Sequence, residues 1–218
     1  MAVNPGSTEK TKLRRIAEKA SSSTADLYSI LDDNLVAHVG LVFQSEPLVI
    51  PMAYGRIGND LLLHGSSGSR LMRALAENPK VCVSITELNG LKVARSTFHS
   101  GMHYRSVVIF GTAELIPDSE KDEALNRISD AMLPGRSSEV RPSLKRELAA
   151  TLIIRVNLDE TSVKISDNDV SDEPEDLNQG VWAGLVPISE LRCTPIPADE
   201  EAKSLPVPES VKAFIAKR

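Results

Sequence analysis

The spacing of apolar and polar positions changes along the chain, and each change marks an element. Between residues 9 and 20, Leu13, Ile16, Ala17 and Ala20 recur at helical spacing, which predicts an amphipathic helix. Ser23, with Asp26 three residues later, has the form of a capping box. It opens a second predicted helix containing Leu27, Ile30 and Leu31. From Leu35 the period shortens. Segments 35–43, 48–54 and 60–64 are short and rich in Val, Leu and Ile, and Ser45-Glu46-Pro47 and Gly58-Asn59-Asp60 separate them. Three such strands joined by tight turns predict an antiparallel meander.

A loop of small residues, Gly65-Ser66-Ser67-Gly68-Ser69, then leads into a short predicted helix from Arg70, which Asn78-Pro79 stops. Segments 81–86, 91–96 and 106–116 read as strands, with Asn89-Gly90 as a hairpin turn between the first two. A helix follows over 118–132 and ends at Pro134-Gly135; 151–158 and 162–165 are further strands. Residues 166–179 form an acidic, polar surface loop. Residues 181–188 are apolar again, and a last short helix lies near 211–216. There is no internal repeat. Six to eight short antiparallel strands with few helical residues predict a mainly β fold: a small closed or nearly closed barrel with helices packed outside. A doubly wound sheet would need helices between all its strands. The expected organisation is an N-terminal helical extension (1–22), a barrel domain (23–190) and a tail with a short helix (191–218).

Composition adds exclusions. At 218 residues, with 41% hydrophobic and 25% charged positions, the chain has a globular make-up, unlike a disordered or coiled-coil protein. No apolar run approaches the ~18 residues of a membrane span, and the N-terminus lacks the apolar core of a secretory signal. Two cysteines, Cys82 and Cys193, cannot staple a fold, and Cys82 sits in an apolar strand where a buried thiol is expected. These features predict a cytoplasmic protein held together by its core.

Charge is uneven. The net value is −5, yet residues 159–209 carry 13 acids against 3 bases. Between His64 and Ser106 the balance reverses, with six bases (Arg70, Arg73, Lys80, Lys92, Arg95, Arg105) against Glu77 and Glu87, and three of the four histidines. A local basic segment in an acidic chain points to a specific anionic ligand rather than to nucleic acid, or else to bases scattered over a solvated surface.

None of the common nucleotide-loop, hydrolase-elbow or zinc-protease motifs is present. His99 and His103 are four apart, but Ser100-Gly101 between them argues for a loop rather than a metal-binding helix. The strongest local signal is the strand–loop–helix passage from His64 to Arg73. Exposed backbone N–H groups in the small-residue loop, hydroxyls of Ser66, Ser67 and Ser69 and the charge of Arg70 would suit a phosphate. The alternative is an ordinary helix cap by Ser67 or Ser69. A second signal is the donor-rich run 98–106, Phe-His-Ser-Gly-Met-His-Tyr-Arg-Ser, entering an apolar strand; it faces either a ligand or water.

These segments resemble a known family. His64-Gly65-Ser66, Ser69-Arg70, Leu75, Asn78-Pro79, Tyr104-Arg105-Ser106-Val107-Val108 with Gly111, and Val181-Trp182-Ala183-Gly184-Leu185-Val186-Pro187 are similar, in order, to the flavin-nucleotide-binding relatives of pyridoxamine 5'-phosphate oxidase. The likeness runs from about Leu27 to Pro187. It implies a six-stranded, Greek-key-like FMN-binding split barrel and a homodimer with FMN at the subunit interface. It also implies oxidoreductase chemistry at flavin N5 on a small-molecule substrate, with no nucleic-acid or membrane partner. By position, Ser69 and Arg70 match the pair that holds the FMN phosphate, with His64, Gly65 and Ser66 in the same cradle. Pro51, Met52, Ala53 and Tyr54 match the strand beside the isoalloxazine ring, and Ser106, with Tyr104 and Arg105, matches a cofactor-contacting strand start. Trp182 either packs near the flavin or belongs to an interface core. His99, His103, Tyr104 and Arg105 are candidate substrate-side groups. Two departures stand out: Leu71 replaces the lysine that follows the Ser-Arg pair in the oxidases, and their C-terminal arginine–histidine pattern has no counterpart after Trp182. The resemblance therefore implies FMN binding more strongly than oxidation of pyridoxamine phosphate. The alternatives are a flavin-binding module without turnover, or the same barrel holding a deazaflavin or haem.

Overall fold

A computed structural model describes residues 3–217; Met1, Met1's neighbour Ala2 and Arg218, the ends of the expected extensions, lie outside the described residues. In chain order the elements are β1 (Ala20–Ser21), α1 (Thr24–Asp33), β2 (Val36–Phe43), β3 (Glu46–Ile57), β4 (Asp60–Ser66), α2 (Arg70–Leu75), β5 (Lys80–Val93), β6 (Gly101–Thr112) and β7 (Glu114–Leu115). They continue with α3 (Lys121–Met132), α4 (Arg136–Glu139), α5 (Lys145–Ala149), β8 (Thr151–Asn157), β9 (Thr161–Ser166), β10 (Gly184–Pro187), α6 (Glu200–Ser204) and α7 (Glu209–Ala216). Among the described residues no helix is long and apolar enough to cross a membrane.

The chain divides into two compact units. One comprises Met1–Asn34, Ser84–Ile109 and Glu160–Leu191, the other Leu35–Val83, Phe110–Asp159 and Arg192–Arg218. In the first, the antiparallel order is β1-β9-β6-β5, with β10 added along β5. In the second it runs from the start of β5 through β2, β3, β4 and β8 to β7. The fold is thus mainly antiparallel sheet with several helices. Among the described residues the strand order has free ends at β1 and β7, so the pairing is an open path of nine strands with β10 added at β5, and the expected closed barrel of six is not what it describes.

The first unit shows how local signals are realised. Ser23 caps α1, its hydroxyl accepting from the Asp26 N–H at 3.2 Å. The reciprocal half of the box goes elsewhere, because the Asp26 carboxylate accepts from the Ser21 hydroxyl at 2.5 Å. Leu27, Ile30 and Leu31 are buried, as their spacing required. The helix expected over 9–20 does not form. Ile16 takes a left-handed φ of 56°, and only Ala17–Lys19 makes a single 3-10 turn. Distant partners hold this segment instead. The Gly6 N–H donates to Thr161 O at 2.8 Å, the Thr8 hydroxyl to Glu160 at 2.8 Å, and the Lys19 ammonium to the Ser166 hydroxyl at 2.9 Å.

The hairpin expected at Asn89-Gly90 is also absent, since β5 runs unbroken through both residues. Gly90 is small because β10 crosses it. A Cβ there would lie 2.9 Å from Leu185 Cδ1 and 3.0 Å from Val186 O.

In the second unit the meander is present, with its first turn one residue earlier than expected. Gln44 and Ser45 form a two-residue loop, both with positive φ (52° and 65°), and Phe43 pairs with Glu46. In β2, Ala37, Val39 and Leu41 point inward and Val36, His38 and Val42 outward. Cys82 follows the same rule: Val81, Val83 and Ile85 are buried, so Cys82 between them is exposed rather than buried. Leu61, Leu62 and Leu63 are all buried because β4 is covered on both faces. On one, Leu62 and Ile153 pack with Ala124 and Ile128 of α3 and with Ile116. On the other, buried Met72 of α2 lies against Gly65.

Candidate functional site

The candidate site in the second unit is built where β3 changes partners. Its residues 46–53 pair with β2, and Tyr54–Ile57 pair with β4. The handover falls between Ala53 and Tyr54. Beyond the Tyr54–Leu63 pair, β4 continues through His64, Gly65 and Ser66, which pair with β8 on the other side but not with β3. Along this edge β4 gives way to the small-residue loop and α2.

The residues of this corner have distinct surroundings. Pro51 and Ala53 are exposed, Met52 is half-buried, and Tyr54 is buried at 2% exposure. Pro47 and Pro51 sit where β3 is paired on one side only, so proline interrupts no second ladder. Ser69 is the N-cap of α2, accepting from the Met72 N–H at 3.4 Å. The loop N–H groups are not open, contrary to the sequence-based expectation. Ser67 donates to Ala150 O at 2.8 Å, Gly68 to the Ser66 hydroxyl at 3.2 Å and Ser69 to Ser66 O at 2.9 Å. Gly65 is required by Met72, so its smallness reflects packing. What this corner leaves uncommitted is Arg70. It is exposed, its guanidinium lies over the Phe43 ring at 5.5 Å, and it forms no ion pair among the described residues. Sequence reasoning missed Phe43, whose signal was an aromatic residue at the end of an otherwise aliphatic strand.

His64 is half-buried, and its Nδ1 is buried without a hydrogen-bond partner among the described residues. Burial pushes its pKa below the usual histidine value, so the ring is neutral at neutral pH. It lies on the β4 face that carries Leu62, opposite Ile153 of β8.

The remaining predicted residues belong to the first unit. On β6, Tyr104, Arg105 and Ser106 pair with Ser166, Ile165 and Lys164 of β9. Arg105 is committed to protein carboxylates, with Nη2 2.5 Å from Glu87 and 3.3 Å from Asp33, while Nη1 donates to the Ser29 hydroxyl at 3.1 Å. Desolvation opposes its charge, but these partners prevail and raise its pKa. Lys164 Nζ sits 5.8 Å from the Tyr104 ring centroid. Trp182 is 63% exposed, and its ring lies against Gly184.

The two substrate-side histidine candidates face the acidic loop instead. His99 is 3.4 Å from Glu173, and His103 Nε2 is 2.8 Å from Asn168 O. The same loop is tied by Asp172, which accepts from both the Arg95 N–H and its guanidinium at 2.7 Å. The basic segment between His64 and Ser106 thus neutralises part of the chain's own acidic stretch.

The comparisons with known proteins bear on this geometry. The sequence model of the pyridoxamine 5'-phosphate oxidase family matches residues 23–165. Among solved structures, the chain is similar to the FAD and haem binding protein from Mycobacterium smegmatis: 41% identity, TM-score 0.87, covering 90% of this chain and 97% of that one. It is also similar to the flavocytochrome Anf3 from Azotobacter vinelandii, at 32% identity and TM-score 0.88 over 95% and 97% of the two chains. No curated protein matches it. A family match across most of the chain, together with two relatives aligned over nearly their whole lengths, shows that this chain belongs to the pyridoxamine 5'-phosphate oxidase family.

Proposed function

We propose that the chain is a flavin- and haem-binding redox protein, an oxidoreductase acting on a small molecule. The observation that carries this reading is its 41% identity to the Mycobacterium smegmatis FAD and haem binding protein over 97% of that protein's length. The second relative, a flavocytochrome, favours the same pair of cofactors. FAD is therefore the preferred flavin over FMN; both contain a riboflavin 5'-phosphate portion.

The residues of the β4–α2 corner fit a flavin phosphate. Arg70 is an exposed cation without a protein carboxylate, beside a serine-rich loop, as binding of a flavin phosphate requires. Arg105 suits this role less, because Glu87 and Asp33 already neutralise it. A bound flavin supplies hydride and single-electron transfer, and a bound haem supplies single-electron chemistry. The chain's part is to hold the phosphate at Arg70, to offer the uncovered edge of β4 as a wall, and to exclude water with the apolar residues of β3.

The reading includes a homodimer working in the cytoplasm. The outward face of β2 and β3 supports the dimer: Val36, Val42 and Val49 are 49%, 70% and 63% exposed, with Pro47, Pro51 and Ala53 beside them. A contiguous apolar patch of this kind suits a second copy. Two free cysteines suit a reducing compartment.

The test is the purified full chain. Its visible spectrum is expected to show flavin bands and a Soret band, and heat denaturation should release a flavin that co-elutes with FAD. Co-elution with FMN would replace FAD in the reading. A colourless protein that takes up neither flavin nor haem would overturn it.

A further inference from the structure

Arg70 and Arg73 stand one turn apart on α2, and their surroundings differ. The Arg73 Nη2 donates to Gly68 O at 3.3 Å, so it closes the small-residue loop. The Arg70 guanidinium makes no hydrogen bond or ion pair among the described residues. What it faces is the Phe43 ring, whose centroid lies 5.5 Å from the guanidinium carbon. Phe43 ends β2 and pairs with Glu46 across the turn. It continues the inward row of Ala37, Val39 and Leu41, which are buried, but is itself half-buried. The ring therefore sits at the rim of the core. A leucine would suit the packing of an otherwise aliphatic row; what a phenylalanine adds is a π face, which attracts a guanidinium. A long surface side chain samples many rotamers, and immobilising it on an anion costs affinity. A guanidinium already held over a ring has met part of that cost before an anion arrives. Contact with the π face uses none of the N–H···O bonds that a phosphate takes.

We propose that Phe43 is a positioning residue for the flavin phosphate, its ring holding the Arg70 guanidinium beside the serine-rich loop before the cofactor binds. This assignment rests on the reading of Arg70 as the phosphate anchor and deepens it, because it names what orients that anchor.

The experiment titrates the purified, flavin-free full chain with FAD, FMN and riboflavin, the last of which lacks a phosphate. Wild type, Phe43→Leu, Phe43→Trp, Arg70→Ala and the Phe43→Leu, Arg70→Ala double variant are compared, with thermal melting as the folding control. Phe43→Met, also without a ring, takes the place of Phe43→Leu if that variant unfolds. Phe43→Leu is expected to bind FAD and FMN about 2–10-fold more weakly, the equivalent of the ordering cost of one side chain, and riboflavin as wild type does. Phe43→Trp should keep the wild-type affinities. Once Arg70 is alanine, Phe43→Leu should change nothing further. In the flavin-free protein, the NMR order parameter of the Arg70 Nε–H should fall in Phe43→Leu, which a packing role alone would not produce. A folded Phe43→Leu that binds FAD and FMN like wild type, or that weakens riboflavin binding equally, would overturn the assignment alone. A wild-type chain that binds no flavin would overturn the flavin-binding reading and the assignment with it.

Discussion

Met72 occupies the space that a side chain at position 65 would need. A Cβ on Gly65 would lie 2.8 Å from Met72 Cγ and 3.2 Å from its Sδ, and Met72 is itself 1% exposed. The glycine of the candidate phosphate corner is therefore a packing residue that holds α2 against β4. Gly65→Ala is expected to destabilise the protein by about 1–3 kcal/mol through overpacking. That corresponds to roughly 2–4 °C in Tm per kcal/mol for a chain of this size. Pairing it with Met72→Ala should cost less than the sum of the two single changes. Differential scanning calorimetry of the three variants checks this; strict additivity would show that the contact is unimportant.

The β2–β3 turn stores strain. Gln44 and Ser45 both take positive φ, which costs non-glycine residues roughly 1–2 kcal/mol each relative to favourable conformations. Replacing Gln44-Ser45 by Asn-Gly should raise stability by about 1 kcal/mol without changing flavin content. Chemical denaturation gives the answer, and an unchanged or lowered midpoint contradicts the geometry.

Asp172 ties the acidic loop to Arg95. The Arg95 N–H is the main cause that holds its carboxyl below the usual range, against the opposing effect of desolvation, and the guanidinium and His99 add to it. A carboxyl whose folded pKa is depressed contributes stability above its unfolded value of about 4 and loses it as pH falls through the folded value. The stability difference between wild type and Asp172→Asn should therefore be constant from about pH 5 to 8 and shrink below about pH 4. Hydrogen exchange at neutral pH should show faster exchange in residues 166–179 of the variant. Equal exchange in the two proteins would mean that the loop is held by other contacts.

Arg105 separates two roles. Its contacts to Glu87 and Asp33 make it a structural cation. Arg105→Met is expected to lower Tm by several degrees, at about 1–2 kcal/mol for a partly exposed pair, while the folded protein retains its flavin. Arg70→Ala should do the reverse, leaving Tm of the cofactor-free protein unchanged and weakening flavin binding by about 1.5–3 kcal/mol, or roughly 10–150-fold. Fluorescence titration with FAD distinguishes them. Flavin loss in Arg105→Met with no change in Tm would transfer the phosphate role to position 105.

Much of the fold could be read from neighbours in sequence. The Ser23 cap, the alternation in β2 and the positive-φ Gly135 after α3 each follow from residues within one or two turns. The misreadings share a cause: the deciding contact came from far along the chain. Gly90 carries the small-residue signal of a turn, but β10 is what requires it to be small. Residues 9–20 have helical spacing, yet Thr161, Glu160 and Ser166 bind the segment in another conformation. The exposure of Cys82 was available from strict alternation with Val81 and Val83 and was masked by the apolar run. For the site, Arg70 and His64 stood out by residue type. That Arg70 is uncommitted while Arg105 is neutralised depends on Glu87 and Asp33, which no local pattern reveals.

Because β3 serves β2 with one half and β4 with the other, its length is as constrained as the identity of any core side chain. One residue added between Ala53 and Tyr54 would flip one half relative to the other. Either Pro47, Val49 and Pro51 would turn inward, or Tyr54 would be expelled into water. Natural insertions and deletions should thus accumulate at hairpin tips and in the acidic loop and avoid this junction, and designed grafts into this scaffold should respect the same boundary.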